Sequence, residues 1–135
     1  MHVKTQGLVL RETSYKEADK ILTVLTREGG KRTVKARGCR RKNSPLAAPA
    51  QLLVWSDMTL FEYRDRLTLN EAEALELFWG VRADVEKLAL ASYFAEVTEA
   101  VAEEGRPDPA LLSLALNSLY ALDKLQRPLP LVKAA

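Results

Sequence analysis

Two β-branched runs on either side of a glycine pair constrain this chain more than any other feature. Lys20 to Arg27 reads Lys-Ile-Leu-Thr-Val-Leu-Thr-Arg and Lys31 to Arg37 reads Lys-Arg-Thr-Val-Lys-Ala-Arg, with Glu28-Gly29-Gly30 between them. The first run is apolar and branched but short for a helix, which favours a mostly buried strand. Glycine tolerates positive φ, so Gly29-Gly30 suits a tight hairpin and the two strands are expected to pair antiparallel. Alternation along the second strand puts Lys31, Thr33, Lys35 and Arg37 on one face and Val34, Ala36 and Gly38 on the other. One face is cationic and the other small and apolar, as in a sheet that buries a core and offers phosphates a positive platform. A solvated edge strand that carries Lys and Arg against aggregation fits the same pattern.

The basic character continues past the strand. From Gly30 to Ser44 there are seven Lys or Arg residues and no carboxylate: Lys31, Arg32, Lys35, Arg37, Arg40, Arg41 and Lys42. The formal net charge of +2 conceals this concentration: residues 1 to 70 carry 14 Lys or Arg against 7 Asp or Glu, and residues 71 to 135 carry 6 against 11. A basic half joined to an acidic half suggests that an anionic partner docks on the first half only. One Cys and one His fall short of a zinc site, and neither a nucleophile-and-base arrangement nor a phosphate-binding Gly loop occurs. No catalytic residue, metal or cofactor is therefore expected. No apolar run approaches the roughly 20 residues that cross a bilayer. The opening Met-His-Val-Lys-Thr-Gln lacks a signal-peptide layout, so a cytoplasmic location is expected.

The remaining elements follow from local pattern. Val3 to Leu10 reads as a strand in which Gly7 marks a bend or bulge, and Arg11 to Asp19 as a polar loop containing Tyr15. Arg40 to Gln51 is a Pro- and Ala-rich loop with room for one helical turn. Leu52 to Tyr63 is strand-like with an interruption at Ser56-Asp57, and Arg64-Asp65-Arg66 is a connection. Leu67-Thr-Leu favours a strand, while the composition from Asn70 onward suits a helix, so local pattern leaves Leu67 to Leu75 open between the two. After Gly80 the pattern is helical. Val81 to Glu104 is expected to form one long helix, with Val81, Val85, Leu88 and Ser92 on a stripe and Gly105 in the stop position. Asp108-Pro109 supplies an N-cap and a first helical residue for a second helix reaching about Gln126. Its apolar face is Leu111, Leu112, Ala115, Leu116, Leu119 and Leu122. Leu114, Ala121 and Leu125 fall roughly opposite, so self-association through the helical end is expected. The tail after Arg127 stops in mid-pattern.

The fold class implied is α+β. Five short strands with Gly-assisted bends, a late helical turn and a basic face match the OB-fold, a five-stranded barrel widely used for oligonucleotides. The chain also resembles a particular family. Lys4-Thr-Gln-Gly-Leu-Val-Leu-Arg, Glu17-Ala-Asp-Lys-Ile, Leu25-Thr-Arg-Glu-Gly-Gly-Lys, Ala36-Arg-Gly-Cys-Arg-Arg and Ala91-Ser-Tyr are similar to the bacterial recombination mediator RecO, in order along essentially the whole chain. The resemblance implies an N-terminal OB domain, placed at residues 1–78, and a helical domain over 79–135, and it makes Leu67 to Leu75 the fifth strand. It further implies binding of single- and double-stranded DNA, annealing of complementary strands, partnership with RecR and SSB, and an indirect role in loading RecA at the bacterial nucleoid. Members of the family are usually much longer and many carry a four-Cys zinc module, so the chain looks like an N-terminal portion that ends before that module.

Lys35, Arg37, Arg40 and Arg41 are the leading candidate DNA contacts, with Lys31, Lys42, Arg64 and Arg66 in the same set. Arg suits bidentate phosphate contact and stacking on bases. Lys4 and Arg11 extend the path only as ordinary surface charges. Among the aromatics, Tyr15 is the stacking candidate, whereas Trp55, Phe61 and Tyr63 are read as core or barrel-rim packing. His2 is read as a terminal residue, Cys39 as a small packing residue, and Glu71, Glu73 and Glu76 as a solvated acidic edge. Two other functions compete with a non-enzymatic DNA mediator. One is a protein-interaction adaptor that works through the helices while the basic strand serves solubility; the other is a subunit of a nucleic-acid enzyme.

Overall fold

The computed structural model describes residues 1–126, so the tail from Arg127 lies outside the described residues. Five strands come first: β1 (His2–Tyr15), β2 (Asp19–Thr26), β3 (Gly30–Ala36), β4 (Trp55–Tyr63) and β5 (Arg66–Glu76). They close into a barrel in the order β1-β2-β3-β5-β4, with β4 returning to β1 and β3 meeting β5 in parallel. This is the OB-type barrel expected, and Leu67 to Leu75 is a strand. Closure removes the free edges that an open basic sheet would present. Three helices follow: α1 (Trp79–Arg82), α2 (Val85–Val101) and α3 (Pro109–Lys124). Among the described residues no helix is long and apolar enough to cross a membrane.

β1 explains how the barrel closes. Its first half pairs with β4 and its second half with β2, and a register shift between Val9 and Arg11 bends it between the two. The bulge thus lies beyond Gly7, where it was expected. At Gly7 a Cβ would come within 2.5 Å of Val24 Cγ1 and 3.1 Å of Met58 Sδ, so that glycine leaves room for interior side chains. Arg11 to Tyr15 is strand and not loop, paired residue for residue with Thr23 to Asp19. It overhangs the barrel, so most of its side chains meet water and the inside-outside alternation that marks a half-buried strand is missing.

The other departures have similarly local causes. β4 starts at Trp55 and runs unbroken through Ser56-Asp57, with register shifts against β5 between Trp55 and Ser56 and between Thr59 and Leu60. Leu53, with φ 69°, donates its N–H to Val9 O, so Leu52 to Val54 enters the barrel as a turn. The connection from Arg40 to Gln51 is a chain of turns with one helical bond, Ala50 N–H to Leu46 O. In the hairpin before β3 only Gly30 takes positive φ, 67°.

Two apolar clusters divide the molecule. Val9, Leu22, Val24, Val34, Met58 and Leu60 fill the barrel with Leu67, Leu69 and the buried Cys39. Leu8, Leu10, Leu25 and Trp55 point outward from the same strands and bury the helices against the barrel wall. The long helix expected from Val81 breaks at Ala83-Asp84. Asp84 caps α2 by accepting from the N–H groups of Glu86 and Lys87, and Arg82, ending α1, donates Nε to Leu77 O at 2.6 Å and Nη2 to Leu52 O. The buried stripe of α2 is Lys87, Ala91, Ala95, Thr98 and, just past its end, Ala102. Val85 is 84% exposed, so the stripe expected through Val81 and Val85 does not form. α2 ends at Val101 with Ala102 as its extended C-cap, and Gly105 lies in a later turn. α3 is capped by Asp108 and buries the expected face through Leu112, Leu119 and Leu122. On the opposite side Leu114 and Ala121 are exposed. Leu125 is not: it packs on the core, and its carbonyl accepts from Lys87 Nζ at 2.6 Å.

Candidate nucleic-acid interface

The outward face of β3 divides in two. Inward parity takes Arg32, Val34 and Ala36, and outward parity takes Lys31, Thr33, Lys35 and Arg37, as the alternation requires. At the start of the strand the helices cover the outward face, where Lys31 Nζ donates to Glu99 O at 2.9 Å and the Lys31 carbonyl accepts from Gly105 N–H at 2.9 Å in a parallel backbone bridge with Glu104. Lys31 is therefore set apart from the other candidates, as a tie between barrel and helix. At the far end, Lys35 and Arg37 line a cavity of about 580 Å³ on the barrel side away from the helices.

Several elements converge there. Ile21 of β2 pairs with Lys35 of β3, which pairs in turn with Thr68 of β5. The β4–β5 hairpin closes the cavity with Tyr63, Asp65 and Arg66. Its turn residues Arg64 and Asp65 both take positive φ, 51° and 63°, the conformation of a two-residue turn whose twist matches a hairpin. From β1, Tyr15 reaches over the edge with Lys35 Nζ 5.2 Å and Lys16 Nζ 5.3 Å from its ring centroid. The turn after β3 is tied to the β1–β2 turn: Gly38 N–H donates to Asp19 Oδ1 at 2.7 Å, Arg40 N–H to Ala18 O at 2.9 Å, and Arg40 Nη1 to Lys16 O at 3.4 Å. Arg40, Arg41 and Lys42, all exposed, thereby extend the cationic path from Lys35 through Lys16.

Which cations are neutralised matters more than how many there are. Among the described residues, ion pairs hold Arg11 to Glu99 (2.9 Å), Lys20 to Glu12 (2.6 Å), Arg32 to Glu62 and Glu104, and Arg106 to Glu103. No ion pair among the described residues holds Lys35, Arg37, Arg40, Arg41, Lys42, Arg64 or Arg66. Lys4 lies elsewhere, in a second groove with Glu28, Asp57, Glu71 and Glu73. Three cations, Lys35, Arg37 and Arg66, against one carboxylate, Asp65, line this concave surface of the barrel, which leaves the Lys35 cavity net positive. Among the described residues no cluster of His, Cys, Asp or Glu is arranged to hold a metal ion.

Lys16, Phe61 and Tyr63 join this surface without having been expected there. Lys16 occupies a left-handed turn position, φ 55°, next to Tyr15. Trp55 is buried as read, but Phe61 and Tyr63 are exposed and line the cavity. Their shared parity with the polar Asp57 and Thr59, opposite Met58 and Leu60, is the signal that marks them as outward-facing. His2 belongs to β1 and meets Phe61 edge-on at 5.3 Å.

Residues 1–78 match the family described as Recombination protein O N terminal, and residues 82–134 the one described as Recombination protein O C terminal. The chain belongs to the RecO family. Curated relatives agree: the DNA repair protein RecO of Acetivibrio thermocellus is 39% identical over 133 residues, covering 98% of this chain and 53% of that protein. RecO of Alkaliphilus metalliredigens is 39% identical over 124 residues, with 92% and 50% covered, and RecO of Listeria monocytogenes 38% over 121 residues, with 90% and 48% covered. The chain thus spans about half the length of these curated RecO proteins.

Proposed function

We propose that this chain is the DNA-binding part of a non-catalytic recombination and repair mediator. It binds single- and double-stranded DNA, brings complementary strands together, and helps a recombinase load onto DNA coated by SSB. The observation that carries this reading is the set of unpaired cations, Lys35, Arg37 and Arg66 in the cavity with Arg40, Arg41, Lys42 and Arg64 around it, on the barrel side that the helices leave open. Two DNA strands repel each other through their phosphates. A cationic surface that takes up phosphates of both lowers that repulsion and releases condensed counterions, which favours binding and annealing without sequence preference. The name shared by the relatives, DNA repair protein RecO, supports this reading. By family, RecR and SSB are the direct protein partners and RecA an indirect one, in the bacterial cytoplasm at the nucleoid. An adaptor whose basic strand serves only solubility accounts less well for cations gathered unpaired around one groove.

The test is charge reversal. A chain carrying Lys35→Glu, Arg37→Glu and Arg40→Glu is expected to lose most binding and annealing of complementary oligonucleotides, with its melting temperature nearly unchanged because surface charges contribute little to stability. Annealing retained at the wild-type rate would contradict the assignment. A collapsed fold would show that these residues are structural.

A further inference from the structure

The three rings in the groove are not equivalent. Tyr15 has two ammonium groups near its ring, Lys16 at 5.3 Å and Lys35 at 5.2 Å from the centroid, a geometry of cation–π attraction that brings both cations to one point. Phe61 and Tyr63 stand two residues apart on β4, which puts them on the same face, and they are 39% and 59% exposed. Phe61 is met only edge-on by His2, and Tyr63 carries the Arg64 guanidinium at 5.2 Å. The barrel interior is already filled by Met58 and Leu60 from the same strand, so these rings have no place in the core.

Two exposed rings among unpaired cations call for a ligand that is flat and apolar as well as anionic. A phosphate alone gives the rings nothing to cover, whereas a nucleobase does, and every base has a π-face. In a duplex the bases stack on one another and reach such a ring only after unstacking. The cavity, about 580 Å³, is the size of a small-ligand site and admits bases that are free to turn in. We propose that Phe61 and Tyr63 form a base-stacking platform that makes this groove select unpaired nucleotides, with Tyr15 serving to position Lys16 and Lys35. This rests on the reading of the groove as a DNA site and adds a reason for directionality: a single strand is held by phosphates and bases, an annealed duplex by phosphates alone, so the product is released.

The test compares three probes of equal length by fluorescence anisotropy at one salt concentration: oligo-dT, an abasic oligonucleotide with the same phosphate backbone, and a duplex. The wild-type chain is expected to bind oligo-dT about tenfold or more tightly than the abasic strand. Tyr63→Ala is expected to remove that preference while leaving abasic binding and its salt dependence intact, and Tyr63→Phe to keep it. Tyr15→Leu is expected to weaken dT and abasic binding by the same factor. Equal binding of dT and abasic strands by the wild type would overturn the platform and leave the phosphate groove standing. No salt-dependent binding of either would overturn both. The wild-type comparison decides the matter even if a variant folds poorly, and thermal melting of each variant checks that it does not.

Discussion

The close seating of the helices on the barrel can be tested with three glycines. Gly30 has φ 67°, and a Cβ there would lie 2.2 Å from Arg106 O and 2.4 Å from Arg106 C, in the turn between α2 and α3. Placing Ala in the left-handed region costs about 1–2 kcal/mol. The contact is with backbone and cannot be relieved by a rotamer change, so overpacking adds about 1–3 kcal/mol. Gly105 isolates the first effect: its φ is 72°, and a Cβ would meet nothing within 4 Å. Gly29 isolates mild crowding, with Thr26 Oγ1 3.0 Å from a Cβ and no positive φ. Gly30→Ala is therefore expected to lose about 2–5 kcal/mol and Gly105→Ala about 1–2 kcal/mol, with Gly29→Ala losing least. A difference of about 2 kcal/mol between the first two corresponds to roughly 5–10 °C in melting temperature for a chain of this size. Circular dichroism melts of the three variants measure it, and DNA affinity well below the transition should not change, since the groove is at the other end of β3. If Gly30→Ala costs no more than Gly105→Ala, the hairpin and the α2–α3 turn are not in contact, and the helices are not seated as described.

Cys39 is buried, and burial raises its thiol pKa above the ordinary range, with Lys20 pulling it partly back. A raised folded-state pKa means that the fold favours the protonated thiol. Its contribution to stability is full below the ordinary thiol range, about pH 8.5, and is lost as pH rises through the raised value. The native chain should thus react with a disulfide reagent at pH 8 much more slowly than the chain in urea, and prompt labelling would show Cys39 to be accessible. At the helical end, Tyr93, Val97, Val101 and Leu114 are exposed apolar residues, Leu114 at 64%. The 135-residue chain is expected to self-associate there at high concentration, and Val97→Ser with Leu114→Ser to yield a monomer that still binds DNA. A wild-type chain that sediments as a monomer at high concentration would contradict this.

The pairing of β2 with β3 and half of the groove were legible in the sequence because they rest on a glycine turn and on alternation. Val34 and Ala36 had to face inward once Lys35 and Arg37 faced out, and Arg32, on the inward parity, is the one that forms ion pairs. The fate of Lys31 was not legible, because its partner, the Glu99 carbonyl, is 68 residues away in sequence and only the packing of α2 on the barrel brings them together. The stripe of α2 was misread because size and burial run opposite to habit there. Small Ala91 and Ala95 face the barrel so that the backbones can approach, while Tyr93, Val97 and Val101 face out. Asp84 did carry a readable N-cap signal for the break between α1 and α2, since Asp before a helical run is a favoured cap. Phe61 and Tyr63 were readable from parity alone, once Met58 and Leu60 were taken as the interior pair. Tyr15 was picked out as an aromatic in a polar stretch, but its strand was not legible, because a strand overhanging the barrel loses the alternation that would reveal it.

The claim on which the rest depends is that the groove between Lys35, Arg37, Arg66 and the 40–42 loop takes up phosphates. The most direct measurement is the affinity of the 135-residue chain for labelled single-stranded DNA over a range of salt concentrations. With about four to seven phosphates neutralised, log affinity should fall against log salt with a slope of roughly −3 to −5. A slope near zero would contradict the account, because it would mean that these unpaired cations do not meet the DNA backbone.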